Sequence, residues 1–289
     1  MTMSRRWRLA AVVGLTAIGL AVHAQQPVFR SAADAVTVNV AVRRGGRPVT
    51  NLAASDFTVR DNGVVQPIVA LSYDTLPVDV TVLLDVSGSV TGAVLDQLRR
   101  GVLDLARTLR PADRLQAWTF DVHVRRLTAF GDPVAAIDRK FAEIAGGGAS
   151  AVRDALAVAL AAAAAPDRRQ FVALFSDGQD TSSVTSAREL LEVARRTVPA
   201  VSVVLATPVR GQADATYVDL TAETGGTFVS LRPTDTIGGL LRRALDQYRS
   251  SYVLTYVPTG VAQRGTHVID VRVSRPDVEV RARKTYQLP

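Results

Sequence analysis

Between about residues 77 and 248, short apolar runs alternate with stretches whose apolar residues recur every three to four positions. Strands are predicted at 78–85, 114–120, 122–127, 170–176, 201–206 and 227–230. The helix after the first strand carries Val94, Leu95, Leu98, Val102, Leu105, Ala106 and Leu109, a period near 3.6. Further helical patterns cover about 133–144, 151–165, 186–197, 214–224 and 235–248. The stretch from Ala155 to Ala165 is almost entirely Ala, Leu and Val, which predicts a helix packed closely on a sheet. Parallel strands need crossover connections, and the crossover helices cover the sheet. The predicted class is therefore α/β: a doubly wound, mainly parallel sheet with helices on both faces.

The flanks read differently. Val36, Val38, Val40 and Val42 alternate with Thr37, Asn39, Ala41 and Arg43, a strand of period two with one buried face. Gly45-Gly46-Arg47-Pro48 makes a turn, 56–60 a second strand, and Asp61-Asn62-Gly63 a turn before a strand over 64–71. Strands return at 251–257, 267–273 and 278–283. Neither end has enough strands for a stable sheet alone, so the two ends are expected to pair into one small β-sandwich-like module. The expected organisation is a signal peptide at 1–24, an N-terminal β segment at 25–76, the α/β domain at 77–248 and a C-terminal β segment at 249–289.

Chemistry concentrates at the end of the first central strand. The apolar run Val80 to Leu84 stops at Asp85, and Ser87 and Ser89 follow at alternate positions. One carboxylate and two hydroxyls there can converge on a point, and such hard oxygen ligands suit Mg²⁺, Mn²⁺ or Ca²⁺ rather than zinc. In open parallel sheets ligands bind outside the carboxyl ends of strands, where the winding reverses. Asp177, in Ser176-Asp177-Gly178, stands at another such end, and Gly146-Gly147-Gly148-Ala149-Ser150 delivers a hydroxyl just before a helix. Each piece also has a plain structural role. Asp85 and Ser87 can cap the next helix, Ser150 can be the N-cap of the Ala-rich helix, and Asp177-Gly178 can be an ordinary turn.

The set Asp85-x-Ser87-x-Ser89, a Gly-rich loop ending in Ser150, and Ser176-Asp177-Gly178 resembles the metal-ion-dependent adhesion site of von Willebrand factor type A domains. The flanks, Leu52 to Asn62 and Tyr252 to Tyr256, resemble an exported bacterial subgroup carrying that domain. The resemblance implies one divalent cation, Mg²⁺ before Mn²⁺ or Ca²⁺, in a shell of Asp85, Ser87, Ser89, Ser150 and Asp177. Ser150 stands where the family usually has Thr, keeping the hydroxyl without the methyl. The resemblance further implies that an Asp or Glu of a partner protein fills the open coordination position. Loops around Asp121, Gly146 and Asp214 are candidates for shaping partner choice, and Asp180 is expected to be a solvated loop carboxylate.

Arg5, Arg6 and Arg8, the apolar stretch from Leu9 to Val22, and Val22-His23-Ala24 predict a cleaved export signal. Its apolar stretch is shorter than the roughly 20 residues of a membrane span. A periplasmic or extracellular protein without a stable span is expected. The chain has 34 basic and 27 acidic residues; without the three signal arginines, 31 basic residues leave +4. No basic run is interleaved with aromatics, so nucleic acid is not an expected partner. Cysteine is absent, and a core of this size needs no disulfides.

An enzyme is the rival class. An aspartate-nucleophile phosphotransferase needs a second carboxylate two residues after Asp85, where Ser87 stands. No Gly-x-Ser-x-Gly elbow surrounds Ser87 or Ser89, and no phosphate loop ending in Gly-Lys occurs. His123 and His267 are expected to be structural or exposed, so no catalytic residue is assigned. A metal-free scaffold of the envelope is the other alternative.

Overall fold

In the computed structural model the apolar runs of the central segment become neighbours in one sheet. Residues 35–144, 146–162, 165, 167–206 and 215–288 are described; the expected signal at 1–24 and Asp214 lie outside them. The N-terminal part forms β1 (Val36–Arg44), β2 (Arg47–Pro48), β3 (Phe57–Asp61), β4 (Val64–Gln66) and β5 (Ile68–Tyr73). The central part begins with β6 (Val78–Asp85), α1 (Ala93–Arg107), β7 (Arg114–Phe120), β8 (Val124–Arg126) and α2 (Val134–Phe141). It continues through α3 (Val152–Ala161), β9 (Arg169–Ser176), α4 (Ala187–Arg196), β10 (Ala200–Leu205), α5 (Ala215–Thr224), β11 (Phe228–Ser230) and α6 (Ile237–Arg249). Four strands close the chain: β12 (Tyr252–Tyr256), β13 (Gly265–Val273), β14 (Glu279–Ala282) and β15 (Thr285–Leu288).

The central sheet has the order β11-β10-β9-β6-β7-β8. Every pairing is parallel except that of β8 with β7 at the edge. Alternation along the buried strands divides the core. Val80, Val82 and Leu84 of β6 join Phe171, Ala173 and Phe175 of β9 beneath α1, α2 and α6. Leu83 joins Val172 and Leu174 beneath α3, α4 and α5. Because β6 is first in this sheet yet lies between β7 and β9, the winding reverses at the β6–β9 junction. That junction is where such folds open a ligand crevice.

The chain ends do share strands. One sheet runs β14-β1-β12-β5, with β2 on β1, and the other β15-β13-β3-β4. Each therefore mixes N-terminal and C-terminal strands, and between them lie Val38, Val40, Val42, Phe57, Val59, Leu254 and Ile269. The strand expected over 64–71 is instead two, β4 and β5, in different sheets. Pro67 separates them: it has no N–H for a ladder, and the chain changes sheets there. α3 ends at Ala161, the first residue of the Ala run and short of the expected 165, with Ala162 in extended backbone. Helices hold mainly by burying a face rather than by propensity. β15 was not anticipated.

Candidate metal centre

β6 delivers Asp85 on the α3 side of the sheet, the side also taken by Leu83, and β9 delivers Ser176 with the same parity as Leu174. The Asp85 carboxylate is fully buried and bonded on both oxygens. Oδ1 accepts the Ser87 N–H at 2.9 Å. Oδ2 accepts the Ser150 hydroxyl at 3.0 Å and the Ser176 hydroxyl at 2.7 Å. The Ser87 and Ser89 hydroxyls stand 3.2 Å apart, Ser87 buried and Ser89 exposed. The buried Asp85 carboxylate is thus followed in the chain by one buried and one exposed hydroxyl.

The Gly-rich loop is fitted against this turn by its backbone. Gly147 N–H donates to the Val86 carbonyl at 2.8 Å, and Gly88 N–H to the Gly148 carbonyl at 3.0 Å. A Cβ on Gly146 would lie 2.8 Å from the Val90 carbonyl oxygen, so only glycine allows the approach. Ser150 is then clamped to the loop after β9. Its N–H donates to Thr181 Oγ1 at 2.9 Å, while its carbonyl accepts from Thr181 and Ser182 at 2.8 and 3.1 Å. Three stretches distant in sequence meet at one carboxylate.

Two of the plain structural roles do not hold. α1 begins only at Ala93 behind Gly92, so Asp85 and Ser87 do not cap it. Ala151, not Ser150, is the N-cap of α3, and the Ser150 hydroxyl goes to Asp85. The third role is partly real: Asp177 Oδ1 accepts the Gln179 N–H at 2.9 Å, closing a turn in which Gly178 has φ +89°. Asp177 is half-buried at the end of β9, beside Ser176. The link from β9 to Asp85 runs through Ser176, which the motif had supplied only as a neighbour of Asp177. The sequence signal for it was its parity with Leu174 on the same strand.

The expectation for Asp180 needs correction. Its side chain is 5% exposed, pairs with Arg153 at 3.3 Å and accepts the Arg153 N–H at 2.8 Å. It also accepts the Ser183 hydroxyl at 2.7 Å. The start of α3 and an arginine draw it inward, where a carboxylate complements the helix N-terminus. Asp154 does the reverse, accepting the N–H groups of Val184 and Thr185 at 3.1 and 2.8 Å. Burial opposes the charge of Asp154, yet these loop bonds from Thr185 and Val184 hold its carboxyl below the usual range. Asp121, just after β7, is treated alike: burial opposes its charge, but Arg125 and the His123 N–H keep its carboxyl low.

His123 is exposed at the β7–β8 turn, near Asp121 and Arg125. His267 is fully buried in the sandwich, with Nδ1 2.7 Å from Asp61 Oδ1. Asp61 Oδ2 accepts Tyr286 and Tyr256 hydroxyls at 2.6 and 3.1 Å, tying the two sheets together.

The donor set can be tested against an ion. In a Mg²⁺ octahedron with bonds of about 2.1 Å, adjacent ligands stand about 3 Å apart. The Ser87 and Ser89 hydroxyls hydrogen-bond each other at 3.2 Å, a spacing that two such neighbours could also have. Among the described residues no group of three or more His, Cys, Asp or Glu is placed to hold a metal. A cation here would rely on hydroxyls with few carboxylates, so the residues fit a hard ion.

Residues 80–179 match the sequence profile of the von Willebrand factor type A domain. Over those residues the central α/β unit is similar to a von Willebrand factor type A domain. Among solved structures, the von Willebrand factor type A protein from Catenulispora acidiphila matches with a TM-score of 0.53 at 11% identity, over 90% of this chain and 75% of that one. An aerotolerance-related membrane protein from Bacteroides fragilis gives 0.48 at 14% identity, over 59% of this chain and 98% of that one. Proximal thread matrix protein 1 from the mussel byssus, described with a zinc-occupied MIDAS motif, gives 0.48 at 16% identity, over 65% and 49%. At 11% identity the likeness to the Catenulispora protein is one of fold. No curated protein matches the chain. Among the described residues, no helix is long and apolar enough to cross a membrane.

Proposed function

We propose that this protein is an exported, cation-dependent protein-binding module, acting in the periplasm or outside the cell. In this reading Asp85, Ser87, Ser89, Ser150 and Asp177 hold one divalent cation, Mg²⁺ in the first place and Mn²⁺ or Ca²⁺ otherwise. A partner protein supplies an Asp or Glu carboxylate to the remaining position; nucleic acid is not a partner. The observation that carries the reading is the pair of hydroxyls on Ser87 and Ser89, 3.2 Å apart and directly after the buried Asp85 in the chain. Mg²⁺ retains several waters and needs few protein ligands, which suits this donor set. The loops at Asp121, Gly146 and Asp214 choose the partner, and no residue is given a catalytic role.

A ligand that binds only the folded chain stabilises it by about 2.7 kcal/mol at a hundred times its Kd. For a chain of this size that is a rise in melting temperature of roughly 5–10 °C. Mg²⁺ or Mn²⁺ should produce this rise over chelator in the parent, and Asp85→Ala should abolish it. Pull-down from envelope extract should then recover a partner only without chelator.

The metal-free scaffold is supported by one observation: both Asp85 oxygens are satisfied by protein donors without an ion. Identical melting with cation and with chelator would decide for it.

A further inference from the structure

Period-two alternation turns Asn39, Ala41 and Arg43 of β1 away from the sandwich core that Val38, Val40 and Val42 fill. That face covers a cavity of about 210 Å³ between the sandwich and the α/β domain. Ser202 and Thr227 line it from the domain side, Tyr248 from α6, and Glu279 and Arg281 from β14.

The cavity is rich in positive charge. On the β1–β14 ladder Arg43 stands opposite Glu279 and Ala41 opposite Arg281, so both arginines overhang the same space with one carboxylate beside them. Burial, and then the charge of Arg281, hold the Arg43 guanidinium below its ordinary value. A third guanidinium lies behind the wall. Arg169 is 5% exposed and donates to Asn39 Oδ1 at 3.1 Å, Ser251 Oγ at 2.6 Å and the Tyr248 carbonyl at 2.7 Å. It stacks 4.1 Å from the centre of the Tyr248 ring.

Among the described residues none of these three arginines has a carboxylate within 4.0 Å, whereas Arg114, Arg168 and Arg249 are all so paired. A guanidinium carries five N–H donors. Arg43 commits them to the Gly46 carbonyl at 2.9 Å and Ser250 Oγ at 3.4 Å, and Arg281 only to the Gly226 carbonyl at 3.4 Å. Guanidinium forks with spare donors are suited to planar or tetrahedral oxygen anions. The Ser202 and Thr227 hydroxyls, 3.0 Å apart, extend the polar lining.

We propose that this cavity binds a small oxyanion, of the phosphate or dicarboxylate class, through Arg43 and Arg281. Its volume of about 210 Å³ equals roughly seven waters at about 30 Å³ each, below the size of sites for drug-like ligands. An anion there would lock the sandwich to the domain, at a place separate from the candidate metal centre. The proposal does not depend on metal binding.

Titration calorimetry of the protein in metal-free buffer, with inorganic phosphate in one arm and succinate in the other, tests it. One saturable site is expected for at least one of the two, and the preferred arm tells phosphate chemistry from carboxylate. Arg43→Gln and Arg281→Gln should each weaken that binding about tenfold. Arg281→Lys, which keeps the charge and loses the fork, should fall between parent and Arg281→Gln. Arg100→Gln, removing an exposed charge on α1, should change nothing. No saturable heat in either arm, or affinity unchanged in the Arg43→Gln, Arg281→Gln double variant, overturns the proposal.

Discussion

Asp85 is a buried carboxylate whose partners come from three separate stretches of chain, and this makes single hydroxyl groups matter. Ser176 is the clearest case. Fully buried, it donates to Asp85 Oδ2 and accepts the Gly178 N–H at 3.0 Å. Ser176→Ala removes the partner of the Gly178 N–H and leaves Asp85 Oδ2 with the Ser150 hydroxyl alone, at a cost of about 1–3 kcal/mol. Chemical denaturation should show that loss, and melting should show a smaller cation-dependent rise than in the parent. An unchanged midpoint would mean that water replaces the hydroxyl at no cost. The residues of the proposed metal motif stand out in sequence because their order and spacing are unusual together. Ser176 was in view but without a role, because its partnership with Asp85 depends on strand register. The fate of Asp180 was not legible at all: Arg153 and the start of α3 reach it only after folding.

At the scale of elements, close packing between helices is decided by single glycines. α1 and α6 cross where Gly101 meets Gly238, and a Cβ on Gly101 would lie 2.8 Å from the Gly238 backbone nitrogen. Alanine favours helix over glycine by about 1 kcal/mol, but overpacking a backbone contact costs about 1–3 kcal/mol. Gly101→Ala should therefore lower stability by up to about 2 kcal/mol in urea denaturation, with metal response intact. A stabilised variant would show that the helices can move apart freely. The periodic apolar residues located both helices, yet Gly101 reads in sequence as a mere weakness of α1. Pro67 was the opposite case: the signal that ends β4 was present in the sequence, and the apolar residues around it masked it.

Over the whole molecule, the chain ends are one structural unit with each other. β12 lies between β1 and β5, and β13 between β3 and β15. A chain stopped after Ser250 loses one of the two interior strands of each sheet, along with the Tyr256 and Tyr286 hydroxyls that Asp61 accepts. Such a truncation should leave residues 36–73 open to rapid proteolytic cleavage, while the parent resists at the same protease concentration. Equal resistance would show that the N-terminal strands hold themselves. Pairing of the two ends into a sandwich was expected from their shortage of strands, whereas the division of residues 64–71 between its two sheets was not.

Periodicity, turn residues and one unusual spacing determined the α/β class, the position of nearly every central strand and helix, and the residues proposed to hold a cation. These are local properties, fixed by neighbours a few positions away. Register, burial and the meeting of distant loops belong to the tertiary structure. It decided that Ser150 and Ser176 both bond Asp85, that Asp180 turns inward, and that Arg43 and Arg281 share a cavity. Those facts depend on which backbones lie side by side, and no short stretch of sequence contains that information.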